Sequence, residues 1–509
     1  MSAIHERPEF EFTQTDARGG LSRKVAPYLL HKNQLVLSQD AYLYRGGFRK
    51  TSGHSSVLSA VPAAERGLSC RRVYDLISGN LTVVHLADGK AYRLSGARLG
   101  VIGSGFTPSA RLSMTEANRL VYATDGVVMR LWSGTRVNPM QTATNPAEMP
   151  RYLKFHPASN RLFAARGQTS RNRVWFSNVN AFTTWNTNDF FDIPESRTGD
   201  NITGMECVLS NLVVFGERTV TVIYGRVPSD YTQRTLEWIH GCKYPNTIVS
   251  FGTYAIYLSG DGLYIFDGSG AAKKISTPID DLLTDVNGSN IDGPVATIDR
   301  DGNYVLSYSS IASGSAALAN NREITVIKPT PEVPYWSFQG PNTRGFGQYA
   351  RYNGGTDSNE IYAVSAAADG QLYKLYSGKD YAGTGADMDI ITGQLDFGAP
   401  FVRKVFQGME LHVETYGDYA IEIQYKIDGE PNWQPGGSVS MAKHGPEYGT
   451  RSLESVNRAI AVHPLLLPVD TPVVGNYIQF RFRQRGVGGV YQPVNIMMWR
   501  AWAKSWRAG

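Results

Sequence analysis

Apolar and polar residues alternate with a period of two through most of the chain, in short runs bounded by Gly, Asp, Asn and Ser. That period puts successive side chains on opposite faces, so it predicts strands, and helical spacing is scarce. Four segments share one pattern of strand, Asp-Gly, alternating strand and Gly: 85–96, 123–134, 258–268 and 366–378. Asp-Gly supplies the positive φ that a tight hairpin needs. Weaker copies run over 163–177 and 212–225, and Tyr304–Tyr308 with Glu323–Ile327 flank a Ser/Ala/Asn-rich loop. The seven turns fall near residues 88, 125, 168, 217, 261, 316 and 369, at spacings of 37, 43, 49, 44, 55 and 53. A multistranded unit recurring every ~40–50 residues marks a β-propeller blade.

The pattern therefore predicts an all-β chain in three parts. Residues 58–385 form a β-propeller of about seven blades. Beyond 386 the strands lengthen and lose the blade spacing: 401–415, 419–429 and 477–483 alternate over longer runs and read as a C-terminal antiparallel β-sandwich-like domain, 386–509. Residues 1–57 show no core pattern of their own and read as an N-terminal arm that docks on something else.

Composition narrows the function classes. A length of 509 residues agrees with about three domains. A net charge of +5 is too mild to mark a nucleic-acid-binding protein. Three widely spaced cysteines, Cys70, Cys207 and Cys242, make no disulfide framework and no Cys-x-x-Cys site, so they read as idle thiols. The polar N-terminus has no secretion signal and no apolar run is long enough to span a membrane, so the chain is expected to fold in the cytoplasm.

Catalytic motifs are missing. The Asp-box of sialidases, the tryptophan-docking motif of quinoproteins and the Trp-Asp of WD40 blades are absent, and no double glycine recurs from blade to blade as in kelch repeats. So are a Walker loop, His-Glu-x-x-His and Gly-x-Ser-x-Gly between strand and helix. The nine histidines never fall at metal-ligand spacing. Asp299-Arg-Asp-Gly302 opens like a calcium loop but lacks the later acids, and reads as a turn. Adjacent Asp280 and Asp281 read as solvated carboxylates, because an acid/base pair must be held apart across a cleft. The expectation is no enzyme, no cofactor, no metal and no catalytic residue.

Contact surfaces are the remaining candidates. One basic stretch is Arg45-Gly-Gly-Phe-Arg-Lys50. Arg481, Arg483 and Arg485 alternate with Phe480 and Phe482, which puts arginines on one strand face and phenylalanines on the other. Trp499, Trp502 and Trp506 crowd the end of the chain, where such rings serve core or interface packing. These six residues are the candidate subunit contacts.

Gly19-Gly-Leu, Pro27-Tyr-Leu-Leu30 and Gly46-Gly-Phe-Arg-Lys-Thr-Ser-Gly53 resemble the N-terminal region of phage tail structural proteins. Val174–Trp185, Gly199–Gly204 with Leu212-Val-Val-Phe215, and Ile275–Leu283 are similar to them too. The family is the tail nozzle (tail tubular) group of short-tailed bacteriophages, and the resemblance covers most of 19–385 in order. It implies a homo-oligomeric ring of six copies below the adaptor or connector protein of the phage neck. The ring would extend and gate the channel for genomic DNA, which passes without sequence-specific binding, and would offer docking surface to tail fibres. It also implies a virion location after synthesis in the host cytoplasm. A conduit must let DNA slide, so the Arg481/Arg483/Arg485 face is expected to point away from the lumen. Competing readings are another tail hub, stopper or tip protein, and a carbohydrate-binding or carbohydrate-active propeller.

Overall fold

A computed structural model describes residues 9–506 apart from 17–18, 45, 76–78, 134–138, 195–199, 237–239, 285, 289–292, 300, 312–321, 328–334, 340–344, 352–359, 379, 415–418, 442–459, 468–471, 489 and 491. Among the described residues strands dominate, and helix is confined to single turns such as Asp280–Leu283. No described helix is long and apolar enough to cross a membrane. The chain divides into two compact units, Ser55–Glu323 with Arg344–Leu375, and Met1–His54 with Ile324–Thr343 and Tyr376–Gly509.

In the first unit, five four-stranded meanders follow one another over 67–103, 113–142, 152–192, 202–236 and 249–274. A sixth sheet begins with the hairpin of Val295–Ile298 and Tyr304–Tyr308. The seventh contains Phe346–Arg351, Ile361–Ser365 and Leu372–Gly378. Its fourth strand, Gly53–Ser56, comes from ahead of the first sheet, and Val57 N donates to Leu372 O at 2.8 Å. The first strands of the seven sheets stand side by side in a closed ring, Phe346–Arg351 lying next to Gly67–Asp75. This is the arrangement of a β-propeller.

The inner strands belong to separate sheets, and side chains stitch them together. Leu112 N donates to Ser69 Oγ at 2.9 Å, Leu153 N to Ser113 Oγ at 3.0 Å and Phe155 N to Thr115 Oγ1 at 3.1 Å. Ser250 Oγ donates to Cys207 O at 2.7 Å. Apolar wedges fill the space between sheets. Val73 and Val83 of the first pack with Val121 and Trp132 of the second, and Tyr122 and Met129 of the second pack with Leu162 and Trp175 of the third.

The Asp-Gly pairs form hairpin turns, as the sequence predicts, and the structure places them between the second and third strands of their sheets. Gly89, Gly126, Gly262 and Gly370 all have positive φ, which glycine adopts without steric cost. The expected turn near 316 lies outside the described residues.

The second unit holds two sheets. One runs Ile460–Leu466, Lys404–Glu414, Asn495–Ser505, Gly47–Lys50 and Ala41–Tyr44, with Phe10–Gln14 also on Asn495–Ser505. The other contains Gln34–Gln39, Met388–Thr392, Ile478–Gln484, Ala420–Ile427 and Gln434–Ser440 in that order. Phe12, Phe48, Leu411, Ile423, Phe480 and Trp499 belong to one core that draws on both.

This grouping differs from the expected three-part division. The N-terminal arm docks on its own chain: Phe12 lies opposite Ala501 in the ladder, and Ile496 opposite Phe48. Its apolar residues are too sparse to make a core alone, but Phe12, Leu35 and Phe48 complete one supplied mainly by residues after 386.

Candidate functional site

The ring of inner strands encloses a cavity of about 690 Å³. Arg111, at the entry to the second sheet, reaches across one end of it. Its Nη1 donates to Leu68 O at 2.5 Å and to Gly347 O, and its Nη2 to Gly293 O at 3.3 Å. Leu68 and Gly347 lie on the inner strands of the first and seventh sheets and Gly293 two residues ahead of the sixth, so a single guanidinium ties together elements around the ring. Arg151 repeats the device at the third sheet, donating to Arg111 O at 3.2 Å and Asp125 O at 2.6 Å. A planar cation with five donors suits several carbonyls that no ladder can satisfy.

Deeper in the cavity, Arg71 Nη1 donates to Met114 O at 2.7 Å. Its Nε is shielded from solvent and has no hydrogen-bond partner. Burial holds the Arg71 pKa below the usual arginine value, opposed by the carboxylates of Glu116 and Glu206. Lys154 forms an ion pair with Glu206, whose Oε1 also accepts Cys207 N at 2.9 Å. The bridges between inner strands bring Arg71, Lys154 and Glu206 to similar depth, because Arg71 bonds at Met114 and the neighbours Ser113 and Thr115 bond at Leu153 and Phe155. The cavity is thus polar, with charges drawn from separate blades. Sequence reading missed it, since Arg71, Arg111 and Arg151 stand apart in the chain without a shared motif; their recurrence near the inner strand of successive repeats is the available signal.

Cys70 and Cys242 are buried and Cys207 is half-buried, all three free. Burial pushes the Cys207 thiol up to about 11, which leaves little thiolate at neutral pH. Among the described residues, no group of three or more His, Cys, Asp or Glu side chains could hold a metal ion. Asp299 closes a turn on itself, accepting Asp301 N at 2.9 Å and Asn303 N at 2.8 Å.

The predicted contact residues separate into two groups. The strand Ile478–Gln484 has the expected faces: Phe480 and Phe482 are buried, and Arg481 and Arg483 lie on the other side. Arg481 is already engaged, its Nε donating to Asp389 Oδ1 at 2.8 Å and its Nη2 pairing with the same carboxylate. Arg485 is exposed. Trp499 is 1% exposed and packs on Phe12, Phe480 and Phe482 at ring distances of 5.2, 5.5 and 5.6 Å. It is a core residue, and the contact expected of it is corrected: alternation along Asn495–Ser505 turns it inward. Trp502 is half-buried and Trp506 is exposed.

Beside Trp506 lies a surface feature absent from the sequence reading. Trp506 N donates to Arg403 O at 2.8 Å, two residues from Phe401, which is 96% exposed. The turn carrying Phe401 is pinned from beneath by buried Lys404, whose Nζ donates to Ala399 O at 2.5 Å, Val402 O at 2.7 Å and Asn476 O at 3.1 Å.

No protein-family model matches the chain, and no curated protein matches it. Among solved structures, a crystal structure of BBS1N in complex with ARL6DN, soaked with mercury, aligns over 64% of this chain and 97% of that one. The identity is 10% and the TM-score 0.39, so the propeller assignment rests on the sheet arrangement described above.

Proposed function

We propose that this chain is a structural component of a bacteriophage tail. A seven-bladed propeller and a sandwich-like domain would together make one subunit of a nozzle-like ring below the portal and adaptor. The ring extends and gates the DNA channel and offers docking surface to fibres. The observation that carries this reading is the ordered series of motifs from Gly19 to Leu283 that resembles tail nozzle proteins. The propeller's chemistry is compatible with it: Arg71, Arg111 and Arg151 bond backbone carbonyls between blades, as a rigid spacer requires.

The propeller cavity, about 690 Å³, has the volume of a small-molecule pocket. Duplex DNA would therefore run through the centre of the six-copy ring and not through the propeller of any one copy. The Arg481/Arg483/Arg485 face would point away from that lumen, because a basic lining would retain the DNA. Neither catalysis nor a cofactor belongs to this role.

Quantitative mass spectrometry of gradient-purified phage particles tests it. The expected result is about six copies per portal ring, as cyclic symmetry implies. Absence from intact particles would overturn the tail reading and direct attention to glycan binding.

A further inference from the structure

We propose that the propeller cavity binds a small oxyanion, of the phosphate or carboxylate class, against Arg71 and Arg111. The volume, about 690 Å³, is ample for such a molecule. Arg111 lies across one end of the cavity, and its two bonded nitrogens fix the guanidinium in place. Arg71 lies further along, held by its bond to Met114 O, with Nε shielded and without a hydrogen-bond partner. Both groups are oriented before any ligand arrives, which lowers the entropy cost of binding.

The charge balance favours an anion. Lys154 and Glu206 neutralise each other as an ion pair. Arg71, Arg111 and Arg151 then face the single carboxylate of Glu116 among the remaining charges that project along the cavity. Arg72 also borders it but turns away, donating to Glu360 O at 3.1 Å and covering the Tyr362 ring. Burial disfavours the Arg71 charge, so an oxyanion bound beside it would offset that cost. Charge-assisted bonds from guanidinium to oxyanion are the strong kind, especially away from bulk water.

The test is thermal unfolding of the full chain in inorganic phosphate, in citrate and in sodium chloride of equal ionic strength. A ligand bound only by the folded state raises Tm saturably. Phosphate, citrate or both should do so beyond the chloride control, and the two arms tell which oxyanion is preferred. Glu116→Gln removes the opposing charge with little change of shape and should tighten binding about tenfold. Arg71→Gln should weaken it by a similar factor or abolish it. The proposal is overturned if chloride reproduces the effect, or if Glu116→Gln binds like the parent chain. The second criterion holds even where Arg71→Gln fails to fold. Failure here leaves the tail reading untouched, since particle composition is measured independently.

Discussion

The phenol of Tyr92 donates to the carboxylate of Asp88 at 2.5 Å, four residues back across a hairpin turn. The bond recurs in two other blades, from Tyr264 to Asp261 at 2.8 Å and from Tyr373 to Asp369 at 3.3 Å. Asp88 and Asp369 also accept the backbone N–H two residues on, at 3.0 Å in each case. The Asp thus closes the turn, while the Tyr ties the turn to its third strand and buries its ring between blades. Where the second repeat has Met129 in place of the tyrosine, Asp125 takes Val127 N and Val128 N at 2.8 Å and Thr107 N at 2.7 Å. Tyr92→Phe should cost about 1 kcal/mol of stability, the net value of a hydrogen bond with one partner left behind. Tyr264→Phe should cost a similar amount, and the double variant should show the sum, because the blades are separate. Urea unfolding measures all three.

Arg111→Met should destabilise far more. It leaves the carbonyls of Leu68, Gly347 and Gly293 without this donor at the centre of the ring. The expected loss is about 3 kcal/mol, the order found when a buried charged hydrogen-bond network loses a member. Urea unfolding checks it, and a change below about 0.5 kcal/mol, the range of ordinary surface substitutions, would contradict this role.

Lys50 gives a pH signature. It is 8% exposed, and burial lowers its pKa from 10.5 to about 8 despite Asp40 and Asp387 nearby. Between those values the unfolded chain binds the proton more often than the folded one. The penalty of folding a charged Lys50 is therefore complete below about pH 8 and disappears as pH rises towards 10.5. Relative to Lys50→Met, the parent chain should gain about 3 kcal/mol over that interval. Unfolding of both proteins at matched pH values gives the difference directly.

His85 works at the acid end. It is fully buried, neither ring nitrogen has a hydrogen-bond partner, and burial lowers its pKa from 6.5 to about 4. The unfolded chain takes up a proton that the folded chain refuses, so stability falls as pH drops from 6.5 towards 4. His85→Leu should remove this part of the acid limb while leaving stability at pH 7 within about 1 kcal/mol, since it replaces an unsatisfied ring by an apolar group. Tm against pH for the two proteins is the measurement.

If the ring proposal holds, Phe401 and Trp506 offer the means to separate association from folding. A rigidly held, exposed aromatic is the usual anchor of an interface. Phe401→Ser and Trp506→Ser should leave Tm nearly unchanged and shift sedimentation velocity profiles towards the monomer. Unaltered sedimentation in both would remove this turn from the subunit contact.

The propeller was legible in the sequence because its repeat is local. Asp-Gly turns and period-two strands are set by residues within a few positions of one another, so the hairpins at Gly89, Gly126, Gly262 and Gly370 follow from the chain alone. The two faces of Ile478–Gln484 are equally local, since alternation places Phe480 and Phe482 opposite Arg481 and Arg483. What those faces meet is a tertiary matter. Nothing near Arg481 in sequence announces Asp389, and nothing near Trp499 announces Phe12, because each partner arrives on a strand from a distant part of the chain. The cavity has the same origin: Arg71, Arg111 and Lys154 share a site only because ring closure brings separate inner strands around one axis. Strand identity is written in neighbouring residues, whereas the surroundings of a charge depend on which strands pack beside it, and in this protein those come from both ends of the chain.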